Sequence, residues 1–346
     1  MSARRRPVSN PPNPWSTTRH EWIGPPPEAR VEVYEDDARS ILARNESPDL
    51  PFRWSLNPYR GCFHACAYCY ARTTHERLDL GAGTDFDTRL FVKREAPALL
   101  QKAFDKRSWR GERVHFSGNT DCYQPLEASY RLTRGCLEVC LEYRNPVSII
   151  TKGALIERDV ALLAELHQAA GVSVLVSLPL LETRLSRALE PHASDPDRRL
   201  QAIRALADAG IPTGVFVAPI IPGLNDREIP EILSRAREAG ASFASWTLLR
   251  LPGSVEPVFV ERLRRALPSV ADKVLNKLTE ARGGRIDENR FGKRMSGQGP
   301  HWQATRTLFQ ITKRRLGYGE SPPEPDPSPF RRPNRDPQLT LFGEDT

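Results

Sequence analysis

The chain has 346 residues, 39% of them hydrophobic and 27% charged, with a net charge of +7. Such a composition excludes collagen-like, coiled-coil and wholly disordered chains, and the modest basic excess is compatible with a nucleic-acid partner without establishing one. No apolar run approaches the roughly 20 residues of a membrane span, and the start lacks the apolar stretch of a secretory signal, so a cytoplasmic protein with no membrane partner is expected.

Proline marks both ends. Seven of the 31 prolines lie in residues 1–30 and seven more in 319–346. Proline removes an amide donor and fixes φ, so 1–30 and 319–346 are expected to be extended, disordered tails. The folded body should run from about 31 to 318. Within it, five strand-like runs appear in order, at 113–117, 147–151, 172–177, 213–218 and 242–249. Helix-like stretches alternate with them. Residues 156–170 carry Leu162, Leu163 and Leu166, residues 198–209 end at Gly210, and residues 229–239 end at Gly240. Alternation of this kind implies parallel strands joined by crossover helices, in an open doubly wound sheet or a barrel. No G-x-G-x-x-G opens the first helix, which weakens the dinucleotide-binding version. In either architecture the site lies at the carboxyl ends of the strands.

Six cysteines are present, and three fall within eight residues: Cys62, Cys66 and Cys69 in Asn57-Pro-Tyr-Arg-Gly-Cys62-Phe-His-Ala-Cys66-Ala-Tyr-Cys69-Tyr70. Three thiolates spaced C-x3-C-x2-C on a short loop can hold three irons of a four-iron cluster and leave the fourth iron open. The competing reading is a structural zinc site, with His64 or His75 as the fourth ligand. A third is three ordinary buried cysteines.

The motif, with Tyr68 as the aromatic before the last cysteine, resembles the radical S-adenosylmethionine (SAM) superfamily. Further stretches resemble its spore photoproduct lyase-like branch. They are Thr120-Asp-Cys-Tyr-Gln-Pro-Leu-Glu127, Leu132-Thr-Arg134, Ile149-Ile-Thr-Lys152, Leu189-Glu-Pro191 and Ala218-Pro-Ile-Ile-Pro-Gly223. The resemblance implies a partial (β/α)6 TIM-type barrel spanning 31–282, a 4Fe-4S cluster at its mouth and SAM on the open iron. It also implies a one-electron donor, a reductase or flavodoxin-type protein, and a 5′-deoxyadenosyl radical that abstracts hydrogen from a substrate. The cluster ligands would be Cys62, Cys66 and Cys69. Tyr68 would lie near the adenine. Asn119, Thr120 and Asp121 would meet the SAM amino group, although Asp121 suits a helix cap equally well. Lys152 and Ser177 would approach the carboxylate or ribose. Glu190 and Arg199 would form a pair near the same site, or an internal salt bridge. The apolar Pro219–Gly223 stretch, with Ile220, would offer a shelf to the adenine, or a rigid turn without a ligand. Cys122 would stand at the mouth as a hydrogen-atom donor; its alternative is a small buried residue. Cys136 and Cys140 share one helix face and are expected to serve packing.

Residues 283–318 form a basic extension expected to be helical in part, with Phe291, His301 and Trp302 among Arg306, Lys313, Arg314 and Arg315. Basic groups neutralise phosphates and aromatics stack on unpaired bases. The alternative is a solvated basic face on a terminal helix packed against the barrel. Gln338, Leu339, Leu341 and Phe342 near the end resemble the short peptide that docks on a bacterial DNA sliding clamp. The expected function is radical SAM catalysis on nucleic acid, with DNA lesion repair in view. The alternatives are radical modification of a peptide or small metabolite, and a non-catalytic zinc or iron–sulfur adaptor of the replication machinery.

Overall fold

The computed structural model describes residues 30–334. Ten strands are present among them: β1 (Glu32–Glu35), β2 (Leu42–Arg44), β3 (Trp54–Leu56), β4 (Tyr59–Arg60), β5 (Arg89–Val92), β6 (Val114–Phe116), β7 (Val147–Thr151), β8 (Val172–Ser177), β9 (Thr213–Ile220) and β10 (Phe243–Leu248). A small sheet orders as β1-β5-β4, and a seven-stranded sheet as β10-β9-β8-β7-β6-β3-β2. Strands β3, β6, β7, β8, β9 and β10 are all parallel. In that sheet β2, at one edge, runs antiparallel to its neighbour. The six parallel strands with helical crossovers form the partial (β/α)6 barrel that the family resemblance implies.

The strands read as near-continuous apolar runs because helices cover one side and the barrel interior fills the other. Leu56, Phe116, Ile149 and Val174 stand in one register across β3, β6, β7 and β8, and all are buried. Crossover helices lie outside them. Val160–Ala170 buries Leu162, Leu163 and Leu166, Pro196–Asp208 buries Leu200, Ile203 and Leu206, and Ile229–Glu238 buries Ile232 and Leu233. Cys136 and Cys140 are enclosed in the same core.

The extension follows its packed-helix alternative, and part of the tail departs from expectation. The helix Pro300–Arg315 buries Trp302 and Phe309 against Trp246 of β10, with ring centroids 5.1 and 6.3 Å apart. Trp302 is therefore a core residue and offers no face to a base. His301 is paired with Asp226 at 2.6 Å. Arg306, Arg314 and Arg315 point to solvent, the arrangement of a terminal helix packed on the barrel. Residues 319–334, expected to be disordered, instead form an ordered strap. Gly319 bridges to Phe243 at the start of β10. Glu324 accepts from the Arg113 amide just before β6. Phe330 packs on Phe104 and Tyr143, and Arg332 donates to the carbonyls of Phe104, Lys106 and Trp109. The strap thus crosses the amino-terminal ends of the strands. Proline favours it, since an extended segment outside a sheet needs few amide donors. Residues 1–29 and the peptide Gln338–Phe342 lie outside the described residues. Among the described residues, no helix is long and apolar enough to cross a membrane.

Candidate active site at the carboxyl ends of the strands

The cysteine loop follows β4. Gly61 has φ +72°, and a Cβ there would stand 2.7 Å from Leu90 and 2.9 Å from His75, so glycine alone fits. The loop then folds as successive turns. The Ala65 amide donates to the Cys62 carbonyl at 3.1 Å, and that of Cys69 to Cys66 at 3.3 Å. Gln124 clamps its start, accepting from the Phe63 amide at 2.9 Å and donating to the Gly61 carbonyl at 3.1 Å. The segment after β8 holds its middle. The Ala67 amide donates to the Leu189 carbonyl at 2.7 Å, and the His192 amide to the His64 carbonyl at 3.3 Å.

Cys62, Cys66 and Cys69 are unbridged thiols. The first two are buried and the third is half-buried. Burial pushes all three thiols above their ordinary range, and neighbouring thiolates add to the rise at Cys62 and Cys66. Lys152 opposes that rise at Cys66 and Cys69. Soft, buried, mutually repelling thiolates call for a cationic metal centre to neutralise them. Among the described residues, no three or more His, Cys, Asp or Glu side chains converge on one ion. A four-iron cluster does not need such convergence, because each thiolate takes a different iron. The donor set therefore fits a cluster better than one closed zinc ion. Among the described residues, neither histidine of the zinc alternative converges with the cysteines on one ion. His75 contacts the Arg89 carbonyl at 2.8 Å, and His64 Nδ1 stands 3.4 Å from Asp121.

Asp121 is committed to the protein. Its Oδ1 accepts from the Tyr123 amide at 2.9 Å and the Thr151 hydroxyl at 2.6 Å, and its Oδ2 accepts from the Lys152 amide at 2.7 Å. Burial pushes this carboxyl up, but His64 and these hydrogen bonds outweigh it and hold it at about 2. No helix starts at Asp121, so it caps none, and its bonds instead tie the β6 loop to the end of β7. Thr120 is buried and donates to the Tyr59 carbonyl at 2.9 Å. The Asn119 and Thr120 amides both donate to Asn57 Oδ1, leaving the half-buried Asn119 side chain at the loop's surface. Asn57 and Gln124 are braces that sequence reading missed. Their partners lie more than 60 residues away in the chain, so no local pattern could mark them.

Glu190 and Arg199 form a fully buried pair, and Arg199 also donates to the Ser194 carbonyl at 2.7 Å and the Ser177 carbonyl at 3.0 Å. The Tyr68 hydroxyl donates to Glu190. Lys152 Nζ lies 3.9 Å from Glu190 and 5.7 Å from the Tyr68 ring centroid. Tyr68, Lys152, Ser177, Glu190 and Arg199 are thus one cluster, joining the cysteine loop to the ends of β7 and β8. Ser177 enters it through its carbonyl, and the structure buries its side chain. Burial lowers the Lys152 ammonium's pKa, with Cys66 pulling the other way. Ile220 ends β9 and is buried. Asn225, also missed, ties the Pro219–Gly223 turn to the β8 loop by donating to the Pro179 and Pro219 carbonyls at 2.7 and 3.0 Å.

Cys122 is fully enclosed in the core, beneath its own loop. Its amide donates to the Ser117 hydroxyl, and its carbonyl accepts from Thr133 at 2.6 Å. A hydrogen-atom donor must touch the substrate, so the position favours the small buried residue over the donor. Tyr70, next to Cys69, is 46% exposed. Its hydroxyl donates to the Gly118 carbonyl at 2.9 Å, and Arg250, just past β10, lies 6.0 Å from its ring centroid. Arg250 Nε is buried without a hydrogen-bond partner. From there residues 283–299 cross the gap between the edge strands β10 and β2. Met295 accepts from the Leu248 amide through its carbonyl, and Arg294 pairs with Asp49 at 2.5 Å. Phe291 beside it is 61% exposed.

Residues 56–236 match the radical SAM superfamily. An uncharacterized protein of Mycobacterium tuberculosis (strain ATCC 25618 / H37Rv) is 41% identical over 236 residues, covering 67% of this chain and 69% of its own. One from Methanocaldococcus jannaschii is 28% identical over 200 residues, covering 58% and 72%. Among solved structures, spore photoproduct lyase complexed with dinucleoside spore photoproduct aligns over 83% of this chain and 80% of its own. Its TM-score is 0.59 at 17% identity, a likeness of fold. A mutant of that lyase, with a phenylalanine in place of one tyrosine, covers 88% of each chain with a TM-score of 0.60. Members of the superfamily work with a 4Fe-4S cluster and SAM. The chain belongs to the radical SAM superfamily and is a radical SAM enzyme.

Proposed function

We propose that Cys62, Cys66 and Cys69 hold the cluster, that Asn119 and Lys152 are the polar groups left to meet SAM, and that the substrate is a nucleic acid. When bound, cluster and SAM together supply a 5′-deoxyadenosyl radical through one-electron cleavage of the sulfonium, the electron coming from a reductase or flavodoxin-type donor. The chain's own work is placement and shielding. Glu190 orients Tyr68 and Lys152 beside the cysteine loop. Asp121 fixes the backbone of Lys152. The buried surroundings of Cys62 and Cys66 keep water from the thiolates.

The observation that carries the substrate class is the exposed Tyr70 ring beside the third cysteine, with the half-buried Arg250 guanidinium 6.0 Å from its centroid. An aromatic face takes an unpaired base, and a guanidinium takes a phosphate. The exposed Phe291 ring continues that surface along the crossing segment. The fold it shares with a lyase solved with a dinucleoside photoproduct supports the same reading, and with it the repair of DNA lesions. The test is anaerobic reconstitution with SAM, reductant and deuterated nucleic acids, following deuterium into 5′-deoxyadenosine. Transfer from a lesion-bearing oligonucleotide is expected. Transfer from peptides or small metabolites alone would reject the substrate class and leave the cofactor assignment standing. We further propose that Gln338, Leu339, Leu341 and Phe342 bring the enzyme to the DNA sliding clamp in the cytoplasm.

A further inference from the structure

Three buried charges meet against the backbone of the cysteine loop. Arg72 follows Cys69 by three residues and is completely buried. Its Nε and Nη2 donate to the Cys66 carbonyl at 3.0 and 2.8 Å, and its Nη1 donates to the carbonyls of Ala82 and Gly83, both at 2.9 Å. Nη2 also pairs with Asp87 Oδ1 at 2.8 Å. Arg262 arrives from the helix Val255–Ala266, late in the chain. Its Nη1 donates to the Ala65 carbonyl and its Nη2 to Asp87 Oδ2. Asp87 thus holds one guanidinium on each oxygen. The Arg72 guanidinium also lies 5.0 Å from the Phe86 ring centroid.

A purely structural role accounts poorly for this arrangement. Buried charges cost more to desolvate than apolar side chains of similar size, and one carboxylate offsets only one of the two guanidiniums. A single positive charge is left in excess, in surroundings that screen it little. It acts on the loop itself. Arg72 holds the Cys66 carbonyl and Arg262 that of Ala65, so both guanidiniums lie against the loop that carries the three thiols. A cluster held by three thiolates is anionic and becomes more so on taking an electron, and its potential follows the net charge and hydrogen bonding around it.

We propose that Arg72, Asp87 and Arg262 are a positioning triad that fixes the cysteine loop by the carbonyls of Ala65 and Cys66 and, through its net positive charge, raises the reduction potential of the cluster. The proposal rests on assigning the cluster to Cys62, Cys66 and Cys69.

The experiment uses the full chain, reconstituted anaerobically without SAM. It reads iron and sulfide content and the midpoint potential from a redox titration followed by electron paramagnetic resonance. Arg262→Gln keeps an amide donor for Ala65 and removes the charge. It should keep its iron and be about tenfold less reduced at a fixed potential, a fall of ~59 mV for one electron. Asp87→Asn leaves two cations unopposed and should shift the ratio about tenfold the other way. Arg262→Lys keeps the charge and should stay within about threefold of the wild type. Opposite signs in the Gln and Asn variants are the signature, since a scaffold role gives loss in both. Unchanged potentials, shifts of the same sign, or joint loss of iron would each overturn the proposal. Should Arg262→Gln fail to fold, an Asp87→Asn protein with an unchanged or lowered potential rejects it alone. A Cys62→Ala protein that loads four irons would instead remove the underlying assignment, whatever the triad does.

Discussion

Glu190 and Arg199 lie wholly out of water, and each is bound to more than the other. Removing one partner strands a charge that has no solvent to turn to. Arg199→Ala should therefore cost about 3–5 kcal/mol, read as a lower midpoint of urea unfolding with an unchanged slope. The pair between Arg187 and Asp195, at 2.9 Å, is 66% and 39% exposed, and Arg187→Ala should cost less than about 1 kcal/mol. The cysteines divide in a similar way. Alanine at Cys62, Cys66 or Cys69 should abolish the iron–sulfur absorbance and SAM cleavage. Alanine at Cys136 or Cys140, enclosed in the core, should lower stability and leave both intact. Iron analysis and 5′-deoxyadenosine formation decide this. At this scale the cysteine motif was readable because its three thiols sit on one short loop, where spacing is geometry. The part played by Asp121 was not readable. Its partners, Thr151 and Lys152, are 30 and 31 residues away and meet it only when β6 and β7 pair.

At the scale of elements, strands and crossover helices were legible because apolar runs and 3.6-residue periodicity are local properties. The run at 147–151 and that at 172–177 coincide with β7 and β8. Short β2 and β4 carry too few residues to show a period, and they passed unseen. The extension misled for a physical reason. An aromatic among basic residues reads equally well as a stacking platform or as the buried stripe of an amphipathic helix, and Trp302 belongs to the stripe. The strap misled because proline content reports missing amide donors, and a docked extended segment lacks them as a disordered one does. Phe330 is its main apolar anchor, half-buried against Phe104 and Tyr143. Phe330→Ala should cost about 1–2 kcal/mol, short of a fully enclosed phenylalanine. A thermal melt measures it, and iron content should not change, because the strap and the cysteine loop lie at opposite ends of the strands.

That separation of ends governs how the whole molecule can meet a partner. The cysteine loop, Lys152 and Tyr70 gather at the carboxyl ends of the strands, while Gly319, Glu324 and Phe330 hold the strap to the amino ends. Arg332 fixes the chain there through three carbonyls. Gln338 follows six residues later, so even a fully extended chain carries it roughly 20 Å at most from that anchor. On the proposed docking, a protein bound to Gln338–Phe342 would be tethered from the amino-end anchor at Arg332 and not from the cysteine-loop end. Leu339, Leu341 and Phe342 are each worth roughly 1.5–3 kcal/mol when fully buried, less the cost of ordering the peptide, which points to affinity in about the micromolar range. The full chain should bind the sliding clamp in a fluorescence-polarisation titration. Alanine at Leu341 and Phe342 should abolish that binding with cluster content and SAM cleavage unchanged. Binding that persists in the double variant, or none at hundreds of micromolar clamp, would reject the tail as a clamp-docking peptide.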